Sequence, residues 1–268
     1  MTHQEIKNAF DFFYASNNIA YDAKKHRYTL DGIVCAGVST VSEFQPKPFL
    51  TGWAAKMTAG YLADKQEAIK TMSPDDYAEL LKEAKKQYTK RSKSALDVGT
   101  RAHDVCEKII KSQPYEITED IENPVKQFQE FEKQHEVKWV CTEKIVCHRG
   151  DLVAGRLDSL AFVDGKLTLV DLKTSGQISQ SYYLQCAGYA HCLADMGIQI
   201  DSRVILRLPK GANEPLEAVE VDTPLKDDIR AFIGQRQAYG WFNMVGIKYS
   251  EKIKMPWGYE TKLKLKKL

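Results

Sequence analysis

The chain lacks any run of eighteen apolar residues, so a membrane-spanning helix is not expected among its 268 residues. There is no apolar core behind Met1 either. Met1-Thr-His-Gln-Glu-Ile carries an acid early, so neither a secretory leader nor a transit peptide is expected and the cytoplasm is the expected compartment. Paired cysteines are missing: Cys35, Cys106, Cys141, Cys147, Cys186 and Cys192 are scattered, with no Cys-x-x-Cys spacing, and read as reduced core thiols. A charge excess is missing as well. With 38 Lys and Arg against 36 Asp and Glu the net charge is +2, so binding to nucleic acid would need a local basic patch rather than a global field. No G-x-x-x-x-G-K-[ST] loop occurs, so any motor function would need a partner chain. Neither an internal repeat nor a low-complexity linker divides the sequence, whose length suits one large domain or a core with an added lobe.

What is present centres on Gly155 to Lys173, G-R-L-D-S-L-A-F-V-D-G-K-L-T-L-V-D-L-K. Asp164-Gly165 predicts a two-residue hairpin turn, because that pair readily adopts positive φ angles. Asp171 and Lys173 stand two apart on the second strand and therefore share a face. Pairing across the turn brings Asp158 near Asp171, each about six residues from the turn. Two carboxylates and an ammonium then converge, a donor set suited to a hard divalent cation such as Mg²⁺, with the lysine placed to hold or help deprotonate a water. Asp-x-Lys by itself is as readily a surface pair at a strand end. The preceding acid, the apolar strand and Gly155, which gives room for close backbone approach, make it a constellation.

With Gly99-Thr-Arg-Ala-His103 before it and Gln185-Cys-Ala-Gly-Tyr189 after it, the hairpin resembles the PD-(D/E)xK nuclease superfamily, in particular its RecB-like and Cas4-like exonuclease branch. That branch carries G-x-x-x-H, an Asp, (D/E)-x-K and Q-x-x-x-Y in this order, and the resemblance covers residues 95 to 195. It implies a restriction-endonuclease-like α/β core, a mixed central sheet flanked by helices, here with an N-terminal helical and hairpin extension. It also implies one or two Mg²⁺ or Mn²⁺ ions held by Asp158, Asp171, His103 and the Leu172 carbonyl, with Lys173, Gln185 and Tyr189 completing the catalytic set. Glu143, on the strand before, would be an outer-sphere ligand or an ordinary strand acid. Relatives with an iron–sulfur cluster need a cysteine trio after the core; no cysteine follows Cys192, so no cluster is expected. The implied activity is metal-dependent exonucleolytic hydrolysis of DNA in recombination, repair or phage DNA metabolism, in a bacterial or phage-infected cell, with a recombination or helicase protein as a further partner. The alternatives are an endonuclease acting on DNA or RNA, and a non-catalytic nucleic-acid-binding protein on the same fold.

The flanking segments read in order as follows. Thr2 and Glu5 form a capping box ahead of the Ile6, Ala9, Phe10, Phe13 stripe. Tyr21 to Val41 reads as a hairpin turning at Asp31-Gly32, and 51–70 as a helix with Trp53, Met57 and Leu62 inward. Ser73-Pro74 starts a helix ending in a lysine- and arginine-rich run that includes Lys90, Arg91 and Lys93, and a separate helix follows from Asp97. The basic run fits a solvated face or a phosphate-contacting ridge. Arg101 fits a phosphate contact, and Tyr182 and Tyr183, with Tyr189, a stacking surface for splayed bases. Glu107 would orient His103 or water, or be a surface charge. Residues 1–94 thus form an N-terminal extension, 95–245 the core and 246–268 a basic tail, in which lysines interleave with Trp257 and Tyr259.

Overall fold

A computed structural model describes residues 1–211 and 214–246; the basic tail from Lys248, with Trp257 and Tyr259, lies outside the described residues. Helix α1 (His3–Ser16) opens on the expected capping box and buries Ile6, Phe10 and Phe13. Strands β1 (Ile19–Asp22), β2 (Arg27–Leu30) and β3 (Ile33–Gly37) form an antiparallel ribbon. Asp31 and Gly32, at φ +49° and +80°, make its second turn.

The continuation to Val41 is not a strand. Val38–Ser42 is a short helix, α2, and the reason is spacing: Val38 and Val41 are both fully buried in the same core, which a helical turn achieves and strand alternation does not. The expected helix over 51–70 divides into α3 (Phe49–Ala63) and the single turn α4 (Gln66–Ile69), and none of Trp53, Met57 and Leu62 is fully buried. The two helices expected from Ser73 and from Asp97 are one, α5 (Pro74–Ile110). Ser73 accepts from the Asp76 amide at its start, and no Gly or Pro intervenes between Pro74 and Gly99. Lys82–Glu79 and Lys86–Glu83 pairs support its exposed face.

After a single 3₁₀ turn come α6 (Glu122–Gln134), β4 (Val137–His148), β5 (Val153–Val163), β6 (Lys166–Lys173), α7 (Gln180–Asp195), β7 (Ser202–Arg207), β8 (Glu217–Glu220) and α8 (Leu225–Gly246). The strands form one mixed open sheet in the order β1-β2-β3-β5-β6-β7-β8, with β4 on the other edge of β5. The N-terminal ribbon is therefore part of the central sheet: β3 runs parallel to β5 through Ala36↔Val153 and Gly37↔Ala154. Strands β6 and β7 are parallel, joined by α7, and the remaining pairs are antiparallel. One core joins α1, α2, α7 and Phe232 of α8 to the sheet; the other face is covered by α6 and the end of α5, with Phe128, Phe131 and Cys106 packed on Val170, Leu172 and Leu206. Covered on both faces, the sheet belongs to the α/β class. Among the described residues no helix is long and apolar enough to cross a membrane.

Candidate active site

Two strands share one edge of β5. β3 takes its first residues, and β6 pairs from Ser159↔Val170 to Val163↔Lys166 around the Asp164-Gly165 turn, whose φ angles are +49° and +82°. Between these partners β5 runs unpaired on that edge through Gly155, Arg156, Leu157 and Asp158. Continuing the ladder by one step sets Asp158 opposite Asp171, but there the backbones have separated. The Asp158 carboxylate fills the gap, with Oδ2 accepting from the Leu172 amide at 2.7 Å. A strand residue sends its N–H and C=O to the same edge, so the Leu172 carbonyl faces this gap as well.

Asp171 lies 1% exposed on the face of β6 that carries Leu167 and Leu169. Lys173 Nζ stands 2.5 Å from its Oδ2, yet neither carboxylate oxygen accepts a well-aligned hydrogen bond among the described residues. A buried carboxylate whose oxygens lack such partners is costly to maintain. His103, on the last third of α5, directs Nδ1 to 3.7 Å from Asp158 Oδ1. Tyr182 of α7 lies beneath Lys173, its ring centroid 5.0 Å from Nζ.

The fields in this gap oppose one another. Burial raises the Asp171 carboxyl above its usual range, Asp158 adds to the rise, and Lys173 only partly offsets it. Burial also pushes Asp158 upward, but His103, Lys173 and the Leu172 amide outweigh it and hold it low. Burial works against the charge on His103, yet Asp158 raises its pKa. Burial likewise works against the Lys173 ammonium, and the two aspartates overcome it and raise its pKa.

Glu143 completes a row of acids across β4, β5 and β6. The pairs Thr142↔Ser159 and Lys144↔Leu157 bracket Glu143 and Asp158. Its φ of +53° is unusual for a residue with a side chain. Burial, then Asp158 and Glu107, push its pKa up to about 6. Its partner Arg156, with Nη1 at 3.5 Å from Oε2, is an exposed cation that sequence reasoning missed. The available signal was its position two before Asp158 on one strand. Arg156 also lies over the Tyr21 ring at 5.0 Å, which brings the N-terminal ribbon to the rim of the site.

By donor chemistry Asp158, the under-bonded Asp171 and the Leu172 carbonyl suit a hard divalent ion, with the imidazole of His103 beside Asp158, although His103, Asp158 and Asp171 do not all converge within 4.8 Å of one another. The remaining expected residues divide. Gln185 Nε2 donates to Tyr189 Oη at 3.2 Å, as the motif's spacing suggests. Both are buried, however, and Tyr189 fills the space over Gly155, where a Cβ would come within 2.8 Å of its ring. Tyr189 is thus a packing residue behind the site and offers no stacking face. Tyr182 and Tyr183 remain partly exposed. Glu107 is paired with Lys111 rather than with His103.

Lys90, Lys93 and Arg101 line a shallow cleft of about 350 Å³ along α5, together with Ser94, Asp97, Val98 and Asp120. Lys90 is paired with Glu83 at 2.6 Å and Arg101 with Asp120, while Arg91 is exposed. No family model and no curated protein matches this chain.

Proposed function

We propose that this chain is a divalent-metal-dependent nuclease of the PD-(D/E)xK superfamily, RecB-like branch, with a restriction-endonuclease-like core that hydrolyses DNA phosphodiester bonds exonucleolytically. One observation carries the reading: Asp158 and Asp171 face each other where β5 and β6 part, with Lys173 against a buried carboxylate that lacks well-aligned hydrogen bonds.

Asp158, Asp171, the Leu172 carbonyl and His103 would hold Mg²⁺ or Mn²⁺, which when bound polarises the scissile phosphate and stabilises the leaving oxygen. His103 has to be neutral to ligate, so an ion competes with the proton that Asp158 favours there. Lys173, kept charged by the two aspartates and seated on Tyr182, orients the attacking water and offsets developing negative charge. Gln185 and Tyr189 act from behind, fixing α7 against β5. Arg156 at the rim and the cleft along α5 suit phosphates. The Lys90–Glu83 and Arg101–Asp120 pairs are exposed, hence weak, and are readily exchanged for a strand backbone.

The test is end-labelled linear and closed circular DNA with Mg²⁺, Mn²⁺ or EDTA. Metal-dependent loss of the linear form alone, reduced at least about a hundredfold in Lys173→Ala, is the expected result. Cutting of the circle would move the assignment to an endonuclease. No cleavage of DNA or RNA with either metal, together with no metal binding by calorimetry, would overturn the catalytic reading.

A further inference from the structure

Just ahead of β5, in and around the β4–β5 turn, a second cluster plays no part in the site just described. His148 is the last residue of β4, Asp151 lies in the turn leading to β5, and His191 sits on α7. One ligand atom from each lies within 4.8 Å of the others. His191 Nε2 is 2.7 Å and His148 Nδ1 3.3 Å from the same oxygen, Asp151 Oδ2. The two imidazoles are stacked nearly parallel, centroids 3.8 Å apart at 13°, so their nitrogens approach that carboxylate side by side. All three side chains are partly buried.

We propose that His148, Asp151 and His191 form a second site, which binds a divalent ion of the zinc class and clamps the β4–β5 turn to α7. A majority of imidazole donors, two against one carboxylate, suits zinc, cobalt or nickel better than magnesium, whose shell is mostly oxygen. A tetrahedral ion with bonds of about 2.0–2.1 Å spaces its ligand atoms by roughly 3.3 Å. The two distances to Asp151 Oδ2, 2.7 and 3.3 Å, bracket this spacing, and the near-parallel rings would tilt toward the ion as it replaces the His191–Asp151 hydrogen bond. His148 Nδ1 now accepts from the Asp151 amide at 3.0 Å, so the ion competes with that bond too.

One neighbouring cation is already engaged elsewhere. Arg149 is engaged by Asp195 through Nε at 2.9 Å and Nη2 at 3.1 Å. Arg236 of α8 interacts electrostatically with Asp151 and tempers the affinity. With three protein ligands, water would take the fourth position. The ion would tie the end of β4 and the β4–β5 turn to α7, the helix carrying Gln185 and Tyr189, and so hold it on the sheet.

The experiment uses the full chain carrying Asp171→Asn, so that uptake at the first site is suppressed and the outcome does not depend on nuclease activity. Equilibrium dialysis against Zn²⁺ is expected to give one bound ion per chain. Affinity should fall at least tenfold when His191→Gln or, in a separate variant, His148→Gln is added. Zn²⁺ should raise the melting temperature of the Asp171→Asn chain and leave that of the added variants unmoved. Because either histidine change can impair folding, Co²⁺ is added to the unaltered Asp171→Asn chain as well, with visible ligand-field bands of low-symmetry coordination expected. Absence of those bands, no Zn²⁺ uptake, or uptake indifferent to both histidine substitutions in chains folded by circular dichroism would overturn the proposal.

Discussion

Glu143 is held against three unfavourable circumstances at once: a left-handed backbone, partial burial, and the neighbouring charges of Asp158 and Glu107. Its folded pKa, raised to about 6, exceeds the ordinary value of 4.5. The stability it contributes is therefore fully present below pH 4.5 and is lost as pH rises through about 6. Replacing it with the neutral amide removes that loss. Glu143→Gln is expected to be more stable than the parent above pH 6 by roughly 1 kcal/mol, after allowing for the lost Arg156 contact, and to flatten the stability slope between pH 4.5 and 6. Urea denaturation at several pH values checks this; an unchanged slope would show that Glu143 is not the titrating group.

The helices differ sharply in how firmly they are held. Helix α3 has no fully buried side chain, and α5 before Arg101 buries only Leu80 and Ala84, whereas α7 buries Ser181, Leu184 to Ala190, Cys192 and Leu193. The α3–α5 pair leans mainly on itself, through Trp53 against Tyr88 and Thr58 against the Ala84 carbonyl. Amide hydrogen exchange is expected to be fastest among the helices in α3, the single turn α4 and the first half of α5, and slowest in α7. Equal protection would refute this ranking. The same contrast shows what could be read from the chain. The hairpin of β5 and β6 was legible because Asp-Gly turns and alternating strands carry their own local signal, and with it came Asp158, Asp171 and Lys173. α2 was not legible, since Val38-Ser-Thr-Val41 fits either period until the core that receives both valines is known. The join within α5 was hidden by the basic run, which reads as an ending. That Tyr189 packs over Gly155 depends on contacts between distant segments, which spacing alone does not reveal.

For the molecule as a whole, the sheet encloses the thiols. Five of the six cysteines are buried, Cys141 is partly so, and burial pushes its thiol up to about 12. A thiol reagent such as Ellman's is expected to react slowly with the native chain at neutral pH and to count six groups after denaturation. Rapid native reaction, or fewer than six groups after denaturation without reductant, would contradict a reduced, closed core. The parallel contact of β3 with β5 has a separate consequence, in time rather than in energy. On the ribosome Ala36 is made long before Val153, so the free edge of β3 must wait through the synthesis of α3, α5, α6 and β4 for its neighbour. The antiparallel run β4–β5–β6, by contrast, finds its partners as soon as they emerge, and the N-terminal ribbon is the part whose docking sets the pace of assembly.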